Sequence, residues 1–374
     1  MAEATDTRSS RIESLDQFRG YTMWGMFLVN FIGGYAVIPS IFTHNNTYCS
    51  YADTIMPHFF FAVGFTLRLA FLRRAERGDL RSAYKHAVKR CLGLVLIGIV
   101  LYHLDGHYKT WATLRELGLK GFLAENFRAR MWQALVHIGV TSLWVLPVIT
   151  TRARVRIAFM AASAGLQLAL SHWFYYDWVI ANKSIDGGPL GFMTWSIPTI
   201  VGSLAHDAML NRGARRALRP LLVWGVALMA LGYGFSCIGA INRALAGANG
   251  GGGIGAWLAA PPFVPPVGKA DFWAMNQRVG SISYLTFAAG LSLMVYAVFV
   301  AACDIGSFRL GMWRTFGTNA LAGYVLHDLV AGAFIPFTPG DAPFWYVMTM
   351  LVAFMAITYL FLRFLEKNRI YLKL

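Results

Sequence analysis

Runs of about twenty predominantly apolar residues recur along the whole chain and constrain its fold more than any other feature. A transmembrane α-helix needs about 20 such residues. Candidate spans lie near 19–41, 53–72, 88–104, 131–150, 156–174, 190–208, 220–240, 281–303, 314–335 and 344–365. The sequence therefore predicts an all-α membrane protein of about ten transmembrane helices, organised as a single domain over residues 1–374.

The composition excludes several other classes of protein. Of 374 residues, 57% are hydrophobic and only 14% are charged, whereas a soluble domain has about a quarter charged residues. A disordered chain, a secreted disulfide scaffold and an ordinary soluble enzyme are excluded. The formal net charge of +15 is explained by membrane orientation, so we expect the lipid bilayer and no nucleic acid as a partner.

The distribution of Lys and Arg predicts the orientation of the chain. These residues are concentrated in alternate connections, namely the N-terminus, 68–90, 152–156, 212–219, 309–314 and 363–374. The connections 42–52 and 338–343 contain none. By the positive-inside rule both termini are cytoplasmic, with residues 1–18 as a cytoplasmic N-terminal segment.

Two long connections are expected on the outer side. Residues 105–130 carry apolar side chains such as Trp111 and Phe122 among polar ones, which is typical of a helix lying on the membrane interface. Residues 241–280 contain a glycine run followed by two proline pairs. This composition predicts a flexible outer loop.

The sequence predicts no metal site and leaves one disulfide open. His103, Asp105 and His107 resemble metal ligands, but no further ligand follows at a suitable spacing. Cys49 and Cys237 are both predicted on the outer side, so pairing between them stays an open alternative.

Polar residues crowd the outer ends of the first two spans. Asn30 lies in the outer half of the first span, His44 in the loop beyond it, and Asp53 at the start of the second. A carboxylate beside His44 would hold its tautomer and raise its basicity, as a general base requires. Alternatively, Asp53 only caps the second helix.

A second polar cluster is predicted in the ninth span. Asn319, Gly323 and His327 recur every four residues, which places them on one helical face. This face is either a polar seam against a neighbouring helix or part of a site.

At the inner end, basic residues mark a candidate anion site. Asp16 and Arg19 have i, i+3 spacing and are expected to pair. Arg19 and Arg90, at helix mouths, are candidates to bind the phosphates of a cytoplasmic cofactor. The alternative is that the surrounding basic stretch faces lipid headgroups. His206 and Asp207, also at an inner helix end, are expected to be solvated.

Several of these stretches resemble the heparan-α-glucosaminide N-acetyltransferase family. The first is Ser14-Leu15-Asp16 with Phe18-Arg19-Gly20, and it is followed by Asn30, by His44 and by Ala52-Asp53 with Pro57 and Gly64. Residues 135–141 and 317–327, the latter including Asn319 and His327, are also similar to family motifs. The chain departs from the family at Val136-His137, where members usually have Gln-Arg.

The resemblance implies a transmembrane acyltransferase that takes acetyl-CoA from the cytosol. The residue matching His44 would be catalytic, with Asn30 essential beside it, and a homodimer would be expected. The heparan-specific luminal domain is absent here, which leaves the acceptor open and favours a bacterial inner (plasma) membrane.

Together these observations predict acetyl transfer from cytosolic acetyl-CoA to an amine or hydroxyl of a sugar-like acceptor on the outer side. Asp53 would orient His44, and Asn30, Asn319 or His327 would stabilise the oxyanion. The alternative is a proton-coupled solute transporter in which Asp53, His58 and His327 relay protons.

Overall fold

The computed structural model describes residues 12–103, 108–126, 131–246, 254–266 and 271–372. Over these ranges the chain is helical and contains no β-strand, as the sequence predicts. The helices are α1 (Glu13–Ile32), α2 (Tyr51–Arg77), α3 (Leu80–His103), α4 (Trp111–Asn126), α5 (Ala134–Val145), α6 (Ala153–Leu170), α7 (Tyr176–Ala181), α8 (Phe192–Leu245), α9 (Ile282–Phe299), α10 (Gly311–Thr318), α11 (Ala320–Phe334) and α12 (Phe344–Lys367).

Among the described helical segments, six are long and apolar enough to cross a membrane. They are Tyr51–Glu76, Ala153–Ala181, Gly188–Leu245, Ile282–Ile305, Ala320–Phe337 and Phe344–Lys367. The chain is therefore a multi-pass helical membrane protein. With 54 residues, α8 would be roughly 80 Å long if straight, far more than a hydrocarbon core of about 30 Å. Gly213, with φ of 69° and ψ of 165°, interrupts it.

Two predicted spans have different limits in the structure. The first helix runs over Glu13–Ile32 and not over 19–41, because Gly33-Gly34 follows it and the chain then turns. The predicted N-terminal segment is correspondingly shorter, and residues 1–11 lie outside the described ranges. The ninth span is broken: Asn319, with φ of −124° and ψ of 47°, separates α10 from α11.

The two connections predicted on the outer side both contain helix, as expected for 105–130 but not for 241–280. Within 105–130, α4 is helical on both sides of Gly118, whose φ is 63°. Its Trp111 is 76% exposed, so this amphipathic segment presents apolar surface away from the rest of the chain. The predicted loop 241–280 begins inside α8, which continues to Leu245.

Glycines allow the helices around the centre of the bundle to cross with their backbones in contact. A Cβ atom on Gly20 of α1 would lie 1.8 Å from the carbonyl oxygen of Trp313 in α10. One on Gly64 of α2 would lie 1.7 Å from the carbonyl oxygen of Thr199 in α8. Small residues at such crossings let membrane helices pack closely.

A buried ion cluster joins α2, α6 and α8. Asp207 accepts a hydrogen bond from Arg68 Nε at 2.5 Å and another from Arg156, which is fully buried. His206 is also buried, with Nδ1 at 3.3 Å from Asp207. The expectation of a solvated pair is therefore wrong for His206, whereas the Asp207 side chain remains 20% accessible. Two guanidinium groups supply the charge and donors that let this carboxylate be partly withdrawn from water.

We predict that Gly64→Ala lowers the melting temperature in detergent, because its Cβ collides with a backbone atom that cannot move alone. Overpacking of this kind costs about 1–3 kcal/mol. Gly165→Ala in α6 is the matched control, since no atom lies within 4 Å of its added Cβ. A Gly64→Ala protein as stable as the control would show that the α2–α8 crossing is loose.

Candidate functional site

A cavity of about 590 Å³ lies in the centre of the bundle. Along α1 it is lined by Arg19, Met23, Met26 and Asn30, which are spaced by four, three and four residues and share one helical face. At 1.5 Å per residue, this row extends over roughly 16 Å. The cavity therefore reaches across more than half of a hydrocarbon core about 30 Å thick.

The two ends of the cavity differ in charge, and its middle is apolar. At one end it is lined by Arg19, Thr66 and Arg90, which also line an adjoining basic vestibule of about 640 Å³. The vestibule further contains Arg73 and Arg74. At the other end the lining includes Asn30, His44, Asp186 and Gln277, whereas Met23, Met26, Ile55, Phe59 and Leu94 lie among the apolar lining residues.

His44 and Asp53 form the pair that the sequence predicts. The His44 Nδ1 atom lies 3.0 Å from Asp53 Oδ1, and Asp53 is fully buried behind it. Half of the His44 side chain is accessible, and His44 is one of the residues that line the cavity. With Nδ1–H held by the carboxylate, Nε2 of the neutral ring is an acceptor, as a general base requires.

Asp53 also caps α2, so it makes both the contact to His44 and the helix cap. Ser50 is the N-cap residue: its Oγ accepts from Asp53 N at 3.3 Å, and its own N–H donates to Asp53 Oδ2 at 3.0 Å. The backbone N–H of Asn45 also donates to the Asp53 carboxylate. Asp53 Oδ2 thus completes a capping box while Oδ1 holds His44.

Gln277 and Asp186 extend this pair, and sequence reasoning missed both. Gln277 Nε2 donates to Asp186 Oδ1 at 2.9 Å, which leaves its Oε1 as an acceptor 3.1 Å from His44 Nδ1. His44 therefore has two acceptors at Nδ1, and both favour the same tautomer. Gln277 is 233 positions from His44, and neither residue stands in a motif that would connect them.

A tight connection between α7 and α8 fixes Asp186. Asp186 has a φ of 52°, a left-handed conformation that is costly for a residue other than glycine. Trp195 Nε1 donates to its carbonyl oxygen at 2.7 Å, and Gly187 N donates to Arg278 O at 2.8 Å. These bonds join the connection to the segment that carries Gln277.

The charges around His44 change its acidity and that of Asp186. Burial lowers the pKa of His44, but the hydrogen bond and charge of Asp53, with smaller effects from Asp186 and Gln277, raise it above its usual 6.5. Burial raises the pKa of Asp186 to about 6, against the opposing effects of Gln277 and His44. The imidazolium form of His44 is therefore stabilised by its surroundings, and the Asp186 carboxyl titrates near pH 6.

A second polar cluster faces the same cavity. His327 Nδ1 donates to Tyr324 O at 2.6 Å, so Nε2 can accept from Asn30 Nδ2 at 3.2 Å. The Tyr102 hydroxyl lies 2.9 Å from that of Tyr324 and 3.1 Å from Asp328 Oδ2. The sequence indicated Asn30 and His327, but not that a carboxylate at Asp328 adjoins them.

Asn319 is separate from this cluster. It precedes α11, and its side chain bonds the C-terminal backbone: Nδ2 donates to Ile370 O at 2.9 Å, and Oδ1 accepts from Leu372 N at 3.1 Å. The expected single helical face through Asn319 and His327 is wrong, because the helix is interrupted at Asn319.

At the basic end, Asp16 and Arg19 pair as their spacing predicts. Asp16 Oδ1 lies 3.8 Å from Arg19 Nη1, and Arg19 lines both the cavity and the vestibule. Arg90 of α3 lines both as well. The two candidate phosphate-binding arginines therefore come from different helices and meet at one mouth.

Other candidates lie elsewhere. His58 Nδ1 bonds Ser292 Oγ at 2.7 Å in the core, away from the His44 pair. All four cysteines, including Cys49 and Cys237, are free thiols. Asp105 and His107 fall outside the described residues.

Comparison with protein-family models finds no match to this chain, and no curated protein matches it. Function must therefore be argued from the site.

We predict that Asp186→Asn lowers the pKa of His44, because it removes a nearby negative charge that stabilises the imidazolium. An NMR pH titration in detergent would follow the ring signal of His44. That signal is assigned as the one missing from the spectrum of His44→Ala. The control is Asp177→Asn, which removes an equal charge from an exposed position in α7. An unchanged His44 titration in Asp186→Asn would contradict the electrostatic coupling.

Proposed function

We propose that this protein is an acetyl-CoA-dependent transmembrane acetyltransferase of the heparan-α-glucosaminide N-acetyltransferase-like family. One observation carries the proposal: a single cavity is lined by arginines at one end and by a histidine held by a buried carboxylate at the other. Such a passage suits a donor whose anionic part binds on one side of the membrane while its acyl group reaches the other.

The basic end would bind the phosphates of the coenzyme. Arg19 and Arg90 stand where the vestibule meets the cavity, and a guanidinium can bind phosphate oxygens bidentately. Asp16 would act as a positioning residue by pairing with Arg19. The pantetheine arm would then lie along the apolar middle, beside Met23 and Phe59.

The chemistry would occur at the His44 end. His44 Nε2 takes a proton from the acceptor amine or hydroxyl, whose N or O attacks the thioester carbon. The tetrahedral intermediate collapses with cleavage of the C–S bond, and the thiolate takes up a proton to give CoA. Asn30 donates one amide hydrogen to His327, so its second can stabilise the oxyanion. Asp53 is a positioning residue.

The orientation follows from the positive-inside rule. Ten crossings with both termini cytoplasmic would place the arginines in the cytosol with acetyl-CoA and His44 on the outer side with a sugar-like acceptor. We place the protein in a bacterial inner (plasma) membrane. The resemblance adds Asn319 and His327 as cofactor-site candidates and a homodimer as the expected assembly.

The transporter alternative is less well supported by the contacts. A relay through Asp53, His58 and His327 needs these groups to connect, yet in the described residues each bonds a different partner: His44, Ser292 and Asn30. A transferase also releases a free thiol from acetyl-CoA, which a transporter does not.

We predict that His44→Ala retains acetyl-CoA binding but lowers the rate of acetyl transfer by about 10²–10⁴-fold, the usual contribution of a general base. Thiol release in the presence of a panel of sugar acceptors measures the rate, and a thermal shift with acetyl-CoA measures binding. His172→Ala, at an exposed position, should behave as wild type. A folded, fully active His44→Ala protein would contradict the catalytic assignment.

We also predict that Arg19→Gln and Arg90→Gln each weaken acetyl-CoA binding by roughly tenfold, the effect of losing a hydrogen bond to a charged group. Isothermal titration measures this without knowledge of the acceptor. Arg154→Gln is the control because Arg154 is exposed and lines neither the cavity nor the vestibule. Equal affinities for all three variants would place the coenzyme elsewhere.

A further inference from the structure

A separate cavity, of about 460 Å³, lies between α6 and α8 and shares no lining residue with the central cavity or the basic vestibule. It is predominantly apolar, with Ile157 and Met160 contributed by α6 and Leu204, Trp224 and Leu228 by α8. Neither the coenzyme passage nor the His44 site uses it.

The helix that forms one wall of this cavity faces outward. Only 17% of the most apolar part of Ala153–Ala181 is buried inside the protein, and Val155 and Ile157 are each nearly half exposed. Trp224 on the opposite wall is 64% exposed. Because these surfaces belong to apolar spans, the cavity is accessible from the hydrocarbon phase of the bilayer.

One rim of the cavity carries an excess of positive charge. Arg212 lines it, and Arg152 and Arg154 flank another lining residue, Ala153. All three arginines are exposed. Asp207 is the acidic side chain in the lining, and both Arg68 and Arg156 donate hydrogen bonds to it. These three side chains together therefore carry a net charge of +1.

We propose that this cavity binds one acyl chain of an anionic phospholipid, with the lipid phosphate at Arg212. An apolar chain replaces the contacts that an unfilled cavity lacks, and it does not need hydrogen bonds. The chain alone gains little over its place in the bilayer, so selectivity comes from the attraction between the headgroup and Arg212, about 1 kcal/mol, or fivefold, for one basic residue near the surface. The proposal is independent of the acetyltransferase reaction.

Trp224 supplies a direct test, because brominated acyl chains quench tryptophan fluorescence on contact. The intact protein is placed in phosphatidylcholine nanodiscs that contain increasing mole fractions of brominated phosphatidylglycerol or brominated phosphatidylcholine. Subtraction of the Trp224→Phe signal isolates Trp224. We expect half-maximal quenching at a mole fraction about fivefold lower for phosphatidylglycerol. Trp173 is 80% exposed and lies near the far end of the helical segment Ala153–Ala181. The same subtraction with a Trp173→Phe variant should show no preference between the two lipids.

Two variants complete the test. Arg212→Gln should remove most of the preference, and Lys183→Gln should retain it, because Lys183 follows the opposite end of the helix that begins at Ala153, roughly 40 Å away. Ala208→Phe fills the cavity and should reduce quenching of Trp224 by the anionic lipid with Arg212 intact. Equal quenching by the two lipids, or full selectivity in both Arg212→Gln and Ala208→Phe, would overturn the proposal.

Discussion

The buried carboxylate of Asp53 holds together the end of the structure that contains His44. A carboxylate withdrawn from water must be supplied with donors, and here they come from the Ser50 and Asn45 amides and from His44. The same carboxylate therefore caps the N-terminus of α2, holds the preceding loop through the Asn45 backbone N–H and fixes one tautomer of His44. The backbone carbonyl of Asp53 also accepts a hydrogen bond from Tyr284, which joins this arrangement to α9. Loss of the carboxylate would disturb all of these at once.

The central cavity gains its polarity from helices that are far apart in the sequence. Arginines of α1 and α3 meet at one end. At the other end, the loop before α2 contributes His44, the loop before α8 contributes Asp186 and the loop before α9 contributes Gln277. Carboxylates near His44 raise its pKa, whereas arginines line the opposite end of the cavity. An apolar middle separates the two charged ends, so a ligand that spans the cavity needs an anionic end and a longer, less polar arm.

Local patterns in the sequence predict part of the fold and part of the candidate site. Helix content, the Asp16–Arg19 pair and the proximity of His44 to Asp53 all follow from short-range spacing, and the structure has each of them. Periodicity failed where the backbone departs from a regular helix, as at Asn319. It also carries no information about contacts between distant loops, such as the bond between Gln277 and Asp186, 91 residues apart.

In the proposed function, one ligand occupies the passage from the arginines to His44. An electron cryomicroscopy map of the protein with acetyl-CoA tests this most directly. We predict density for the adenosine phosphates beside Arg19 and Arg90, with the arm continuing through the apolar middle to a thioester next to His44. An empty central cavity at saturating acetyl-CoA, or a coenzyme bound with its thioester away from His44, would contradict it.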